Sequence, residues 1–233
     1  MFRHALPVRS TVLAFAGLVL AAGAPAARAQ EPAEALHYVF ALHPDKDFAE
    51  VFEGGSLRRL GRAPAPRGAF RVLGLPGGSG RGDTAGGAKF YIVGASEIFV
   101  LDETLRASGR IRLRVPALAR KEGAALTADG RLLLLASSDG LYKIETARDT
   151  LAGYLPAGFE VAGLALARDR DRAFLLAAGR PWMRGVDLAR WTLDAGRTPT
   201  PGAANAWGRS RTGVRAAVHA DGEVFDFDAV AAA

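Results

Sequence analysis

The most regular polar feature of the sequence is an acid that recurs at nearly equal spacing. Each acid ends a short segment that holds an apolar pair, a variable residue and a further apolar residue. Carboxylates suit hard cations such as Ca²⁺, so a ring of them could hold a divalent cation. Alternatively, each acid could accept backbone N–H bonds in the turn that follows its strand. Repetition in every unit favours the structural alternative. The acids are Asp102, Glu145, Asp187 and Asp228, at steps of 43, 42 and 41 residues.

A second candidate is a stretch in which arginines alternate with apolar residues. Arg110, Arg112 and Arg114 would lie on one face of a strand, with three apolar side chains on the other. Such a stripe could bind an anionic ligand. The simpler interpretation, which we favour, is the solvated face of an outer strand, where charge discourages edge-to-edge pairing.

Other chemistry finds less support in the residues. His37 and His43 are six positions apart, which places them about 20 Å apart on one strand and too far for one metal. A zinc site would need His219 to approach one of them, so isolated histidines are the favoured interpretation. The absence of cysteine excludes disulfides, thiolate metal sites and a cysteine nucleophile. We find no Ser-His-Asp arrangement and no paired-carboxylate motif.

The elements that must position these residues are short strands. Apolar segments such as residues 90–93, 98–101, 132–135 and 141–144 are separated by turn signals, including Asp-Gly at 139–140. Strands joined by hairpins predict an antiparallel all-β domain. The period of about 40 residues, with about four strands in each unit, is typical of a β-propeller blade.

Two segments resemble the YVTN-type propeller repeat. Residues 89–102, KFYIVGASEIFVLD, are similar to its strand–turn–strand pattern, and residues 123–135, GAALTADGRLLLL, are similar to its aspartate-glycine turn. The resemblance covers about 88–230 and implies a WD40-like propeller, a group that includes sugar-lactonase relatives. The family is functionally diverse, so the resemblance supports a fold more than an activity.

The sequence predicts a small or incomplete propeller of about four to five four-stranded antiparallel blades. One further unit could lie in 36–76, formed by 36–42, 48–52, 57–60 and 70–75. Either the segment 36–42 closes the ring as the outer strand of the last blade, or the ring stays open and its strand edges invite self-association. Glycine-rich residues 74–88 and proline-containing residues 197–208 are predicted to be loops.

The first 29 residues are typical of a secretory signal. A basic start and a short apolar run precede the A-x-A site at 27–29, so we expect cleavage there, no membrane anchor afterwards and a propeller domain over 30–233. Cleavage removes three arginines and no acid, which lowers the formal charge from +6 to +3. That charge gives no reason to expect a nucleic-acid partner. The predicted location is periplasmic or secreted.

These observations lead to two hypotheses about function. The first is a non-catalytic binding or scaffolding module that presents one face to a protein or small ligand and needs no cofactor. The alternative is a lactonase-like hydrolase with a divalent cation in the central channel, as resemblance to the sugar-lactonase propellers implies. Dependence on a metal distinguishes the two.

Overall fold

The computed structural model of the protein describes residues 38–75, 88–120, 123–167 and 171–200, and the backbone of strands at 204–209, 215–219 and 224–227. The predicted signal at 1–29 and most of the predicted loop at 74–88 lie outside these residues. Gly74 and Leu75 of that loop instead complete a strand. The described ranges contain no α-helix, and so none long and apolar enough to cross a membrane.

The described residues form nineteen strands in five antiparallel sheets, as the all-β prediction requires. Sheet 1 contains β1 (Tyr38–Leu42), β2 (Phe48–Glu53) and β3 (Arg59–Pro64). Sheet 2 contains β4 (Arg71–Leu75), β5 (Lys89–Val93), β6 (Glu97–Leu101) and β7 (Ala107–Arg112). Sheet 3 contains β8 (Ala124–Leu126), β9 (Leu132–Ala136), β10 (Gly140–Glu145) and β11 (Thr150–Pro156). Sheet 4 contains β12 (Val161–Leu166), β13 (Arg172–Ala177), β14 (Trp182–Asp187), β15 (Thr192–Leu193) and β16 (Thr198–Pro199), and sheet 5 contains β17 (Ala204–Arg209), β18 (Arg215–His219) and β19 (Val224–Phe227).

The position of a strand in its sheet explains its sequence pattern. Every residue of β12 is buried, and so is most of β9, because both faces of these strands are covered by neighbouring sheets. Strands covered on both faces have nearly continuous apolar sequences. The outer strand β7 alternates instead, with Ile111 buried and Arg110 and Arg112 exposed.

Apolar cores fill the spaces between neighbouring sheets. Phe40 and Ile92 belong to the core between sheets 1 and 2, and Tyr91 and Tyr142 to the core between sheets 2 and 3. A third core lies between sheets 3 and 4. The first strands of successive sheets are neighbours, since β4 contacts β8, β8 contacts β12 and β12 contacts β17. Sheets 2 to 5 therefore follow one another with their first strands adjacent, as expected of blades around an axis.

A residue with left-handed backbone precedes the outer strand in four of the sheets. Because this turn precedes the fourth strand in sheets 2 to 4, it identifies β3 as equivalent to the fourth strand of a four-stranded blade. The described part of sheet 1 therefore holds the equivalents of the second, third and fourth strands of a blade. Sheet 5, whose β17 contacts β12, holds the equivalents of strands one to three. The turn residues are Leu57, Leu105, Asp149 and Trp191, with φ of 54°, 64°, 54° and 56°.

Two expectations about strand membership are wrong, and so is one of the two alternatives for ring closure. Residues 70–75 do not complete the first unit, because β4 pairs with β5 and the polar β3 is the outer strand of sheet 1. Strand β1 pairs with β2 along its whole length and is not an added strand of the last sheet. The segment 197–208 is not only a loop: β16 pairs with β14, and β17 begins sheet 5. Proline at 199 is tolerated because it lies on a sheet edge.

Candidate functional site

Among the recurring acids, Asp102 holds the hairpin turn that follows it. Its Oδ1 accepts hydrogen bonds from the Thr104 hydroxyl at 2.6 Å, the Thr104 N–H at 2.8 Å and the Arg106 N–H at 3.0 Å. These bonds, with the Thr104 hydroxyl as the largest cause, lower the pKa of Asp102 below its ordinary value. A carboxylate with three donors in its own turn is a turn cap.

The equivalent acids also contact their own turns. Asp187 Oδ1 accepts a hydrogen bond from the Arg190 N–H at 2.8 Å, and a Glu145 carboxylate oxygen lies 3.7 Å from the Arg148 guanidinium. Asp228 lies outside the described residues. A further member is Glu53, which the regular spacing of the sequence does not reveal; it ends β2 and accepts a hydrogen bond from the Ser56 hydroxyl. That bond is the largest cause of the lowered pKa of Glu53.

No three His, Asp or Glu side chains within the described ranges come together as a metal site. His43 lies 3.6 Å from Glu50 and contacts the Phe48 ring, with ring centroids 5.9 Å apart. His37 and the side chain of His219 lie outside the described residues, so the prediction of isolated histidines, and the less favoured two-histidine zinc site, stay untested there.

The three arginines of the predicted stripe are all exposed, but they do not share one strand, because β7 ends at Arg112 and Arg114 lies in the bend that follows. Arg110 pairs with Glu97, and its guanidinium lies 5.2 Å from the centre of the Phe99 ring. Glu97 lies directly opposite Arg112 in the register of β6 and β7, yet its carboxylate is bound by Arg110. Arg112 and Arg114 therefore form no ion pair with any described residue.

Apolar neighbours fix the direction of the stripe. Ile111 is buried in the core between sheets 2 and 3, and Leu113 and Val115 pack against that core. Val115 also exchanges two hydrogen bonds with the Tyr142 hydroxyl, at 2.6 Å and 3.0 Å. The alternate side chains, which are the arginines, must then face away from this core.

A polar cluster connects sheets 2 and 3. The Tyr91 hydroxyl donates to Asp149 Oδ1 at 2.6 Å, and Lys89 Nζ lies 2.8 Å from Asp149 Oδ2. Tyr91 is fully buried, and burial is the largest cause of its strongly raised pKa. The phenol is therefore held neutral as a donor. The residues of this cluster are about sixty positions apart, and no sequence motif joins them.

A second polar cluster lies within sheet 3. The Ser137 hydroxyl donates to Asp139 Oδ1 at 2.9 Å and lies 3.0 Å from the Tyr154 hydroxyl, which donates to the same carboxylate. Burial, followed by the bond to Asp139, raises the pKa of Tyr154 to about 12. The Tyr154 bond is the largest cause of the lowered pKa of Asp139. The cluster fastens the β9–β10 turn to β11.

No family model matches the chain, and no curated protein matches it. Solved structures do match it in fold. A chain of the Mitotic Checkpoint Complex matches with a TM-score of 0.61 at 9% identity, over 82% of this chain and 60% of that one. BBS1N in complex with ARL6DN matches with a TM-score of 0.57 at 11% identity, over 83% and 64%. Dihydro-heme d1 dehydrogenase NirN matches with a TM-score of 0.55 at 18% identity, over 70% and 35%.

These similarities establish the fold. The matched proteins are β-propellers, and this chain is a small β-propeller, as its sequence predicts. The chain spans less than two thirds of the length of each of these three chains. The matches include both enzymes and protein-binding modules, so they do not distinguish between the two hypotheses about function.

Proposed function

We propose that this protein is an exported β-propeller that binds a partner protein and does not itself catalyse a reaction. The observation that carries the proposal, against the solvated-face interpretation favoured from the sequence, is the arginine stripe: Arg112 ends β7, Arg114 lies in the bend that follows, and both are exposed and unpaired within the described structure. Elsewhere the notable polar groups serve the fold: Asp102 caps a turn, and Asp149 joins two sheets. Unpaired guanidinium groups on a fixed strand suit an anionic protein surface.

Two matched structures support protein binding on this fold. BBS1N is described in complex with ARL6DN, and another matched chain belongs to the Mitotic Checkpoint Complex. Export rests on the signal-like residues 1–29, and the location we propose is periplasmic or extracellular. Mass spectrometry of the protein after expression with its leader tests cleavage at Ala29, since an uncleaved chain contradicts export by this route.

The test measures two things on the same purified protein. The first is thermal unfolding after chelator treatment, with and without Ca²⁺, Mg²⁺, Mn²⁺ and Zn²⁺. We expect no cation to shift the transition, whereas a specific cation at a hundredfold its dissociation constant would add about 2.7 kcal/mol. Such a rise would favour the lactonase alternative, and lactone hydrolysis would then be assayed.

The second measurement is binding of fluorescent poly-L-glutamate to the wild type and to Arg112→Glu/Arg114→Glu. We expect binding to the wild type that weakens with salt, because exposed charges are screened, and a large loss in the variant. Equal binding to both proteins would contradict the role of the stripe.

A further inference from the structure

We propose that the partner is an extended segment with acidic residues at alternate positions, which adds to the free edge of β7 as a fifth strand of sheet 2. This inference rests on the proposed binding function and specifies its partner. It joins two independent observations: the direction of the backbone groups of β7 and the unpaired charges of Arg112, at the end of that strand, and of Arg114, two residues later.

The backbone of β7 has an open edge. In sheet 2 the strand order is β4, β5, β6 and β7, and within the described residues no strand pairs with the other side of β7. The Leu113 N–H donates to the Ser96 carbonyl at 2.9 Å. Hydrogen-bonded and non-hydrogen-bonded pairs alternate along an antiparallel ladder, so Ile111 opposite Ile98 forms the next bonded pair. The N–H and C=O groups of Arg110 and Arg112 then point away from β6, towards the open edge.

The charges of β7 match the same edge. Arg112 lies next to the outward backbone groups, Arg114 follows two residues later, and neither has an ion pair in the described structure. Residues two apart on a strand are about 7 Å apart and share a face. A partner strand in register would therefore place one residue beside Arg112, and its residue two positions further on would extend towards Arg114 in the bend after β7; carboxylates at these two positions would form charge-assisted hydrogen bonds.

The other outer strands do not offer this combination. In β3, Arg59 binds Glu50 at 2.9 Å and Arg62 stacks on Phe48 at 4.1 Å, so both guanidinium groups are engaged. Strands β11 and β15 carry no charged residue. A second copy of β7 is disfavoured as the added strand, because it would bring arginines opposite arginines. An acidic strand is thus the occupant that β7 favours.

The experiment compares two peptides by fluorescence anisotropy on the purified protein. In the first peptide glutamate alternates with valine. The second has the same composition and charge, with its glutamates consecutive. We expect the alternating peptide to bind at least about tenfold more tightly, a difference of about 1.4 kcal/mol. An alternating peptide with N-methylated backbone amides at its pairing edge keeps the charge and should lose binding, because it cannot pair with the strand.

Protein variants locate the site. Arg112→Glu/Arg114→Glu should weaken binding of the alternating peptide by about tenfold or more, since the attractive contacts between arginine and glutamate become repulsive. The control is Arg131→Glu/Arg148→Glu, which makes the same charge change at two highly exposed arginines in the turns before β9 and β11 and should leave binding unchanged. Unfolding curves of both variants establish that each is folded.

Three results would overturn the inference. Equal affinity for the two peptides, or full binding of the N-methylated peptide, would mean that charge acts without strand pairing, and poly-L-glutamate binding would then still support the proposed function. Equal loss in the control variant would mean that the site is not β7. Failure of both peptides and of poly-L-glutamate would overturn the proposed function as well.

Discussion

Sheets 2 and 3, and sheets 3 and 4, are held together by a residue at the same position, in the turn before the outer strand. The chemistry of that residue differs between the two contacts. In each case the left-handed residue before the outer strand reaches back to the preceding sheet. Asp149 does so with its carboxylate, which binds Lys89 and Tyr91. Trp191 does so with its ring, which packs beside Gly153 and lies 5.1 Å from Lys143 Nζ.

The two contacts differ in how completely their polar groups are satisfied. Asp149 uses both carboxylate oxygens, one for each partner. The indole N–H of Trp191 is buried, and the described structure offers it no acceptor. A left-handed φ of this kind costs about 1–2 kcal/mol for most L-residues, which include Trp191, whereas aspartate tolerates it more readily. At this turn position Asp149 stabilises the contact between sheets through charge and hydrogen bonds, and Trp191 does so by burying apolar surface.

Trp191→Ala should have the largest effect on stability. It removes the ring that fills the space beside Gly153, at a cost of about 3 kcal/mol, the lower end for aromatic truncation because Trp191 is only half-buried. Urea unfolding measures the loss. Trp191→Phe separates area from polarity: it keeps most of the ring and removes the unpaired donor, so we expect a much smaller change. An equal loss in both variants would mean that the indole N–H has a partner in solution.

Asp149→Asn should cost about 2 kcal/mol. Asparagine tolerates the left-handed φ, so the change removes the charge and leaves the turn possible. Lys89, which is only 28% exposed, then loses its counter-ion. A double-mutant cycle with Tyr91→Phe measures the coupling, which should exceed about 0.5 kcal/mol for residues in direct contact. Additive effects would show that Asp149 acts on the turn alone.

Tyr91→Phe should cost about 1 kcal/mol at neutral pH and should change the alkaline limit of stability. Burial raises the pKa of Tyr91 in the folded protein. Its contribution is thus complete below the unfolded pKa of about 10 and is lost as the pH rises through the higher folded value. The stability of the wild type should fall more steeply above pH 10 than that of the variant. Parallel profiles, measured by urea unfolding at stepped pH, would contradict this assignment.

The features predicted correctly from the sequence are those that depend on residues close together along the chain. The step of 41–43 residues indicated the sheets, and the alternation around Ile111 indicated which face of β7 is exposed. Glu53 also directly follows an apolar residue at the end of its strand. The glycine-rich segment between β4 and β5 lengthens the distance from Glu53 to Asp102 to 49 residues, so the regular spacing of the acids did not reveal Glu53. Contacts between sheets, such as Tyr91 with Asp149, depend on how two sheets pack and leave no local pattern.

Leu57→Ala should have the smallest effect, and it extends the comparison to sheet 1. Leu57 has the same left-handed turn as Leu105, but it is 64% exposed, whereas Leu105 packs against the core between sheets 1 and 2. Exposed substitutions usually change stability by less than about 0.5 kcal/mol, whereas Leu105→Ala should cost about 2 kcal/mol. Urea unfolding of the two variants measures the difference. If Leu57→Ala costs as much as Leu105→Ala, another sheet covers Leu57 in solution as sheet 1 covers Leu105. A concentration-dependent midpoint would then indicate that this sheet comes from a second chain, and a constant midpoint would indicate the same chain.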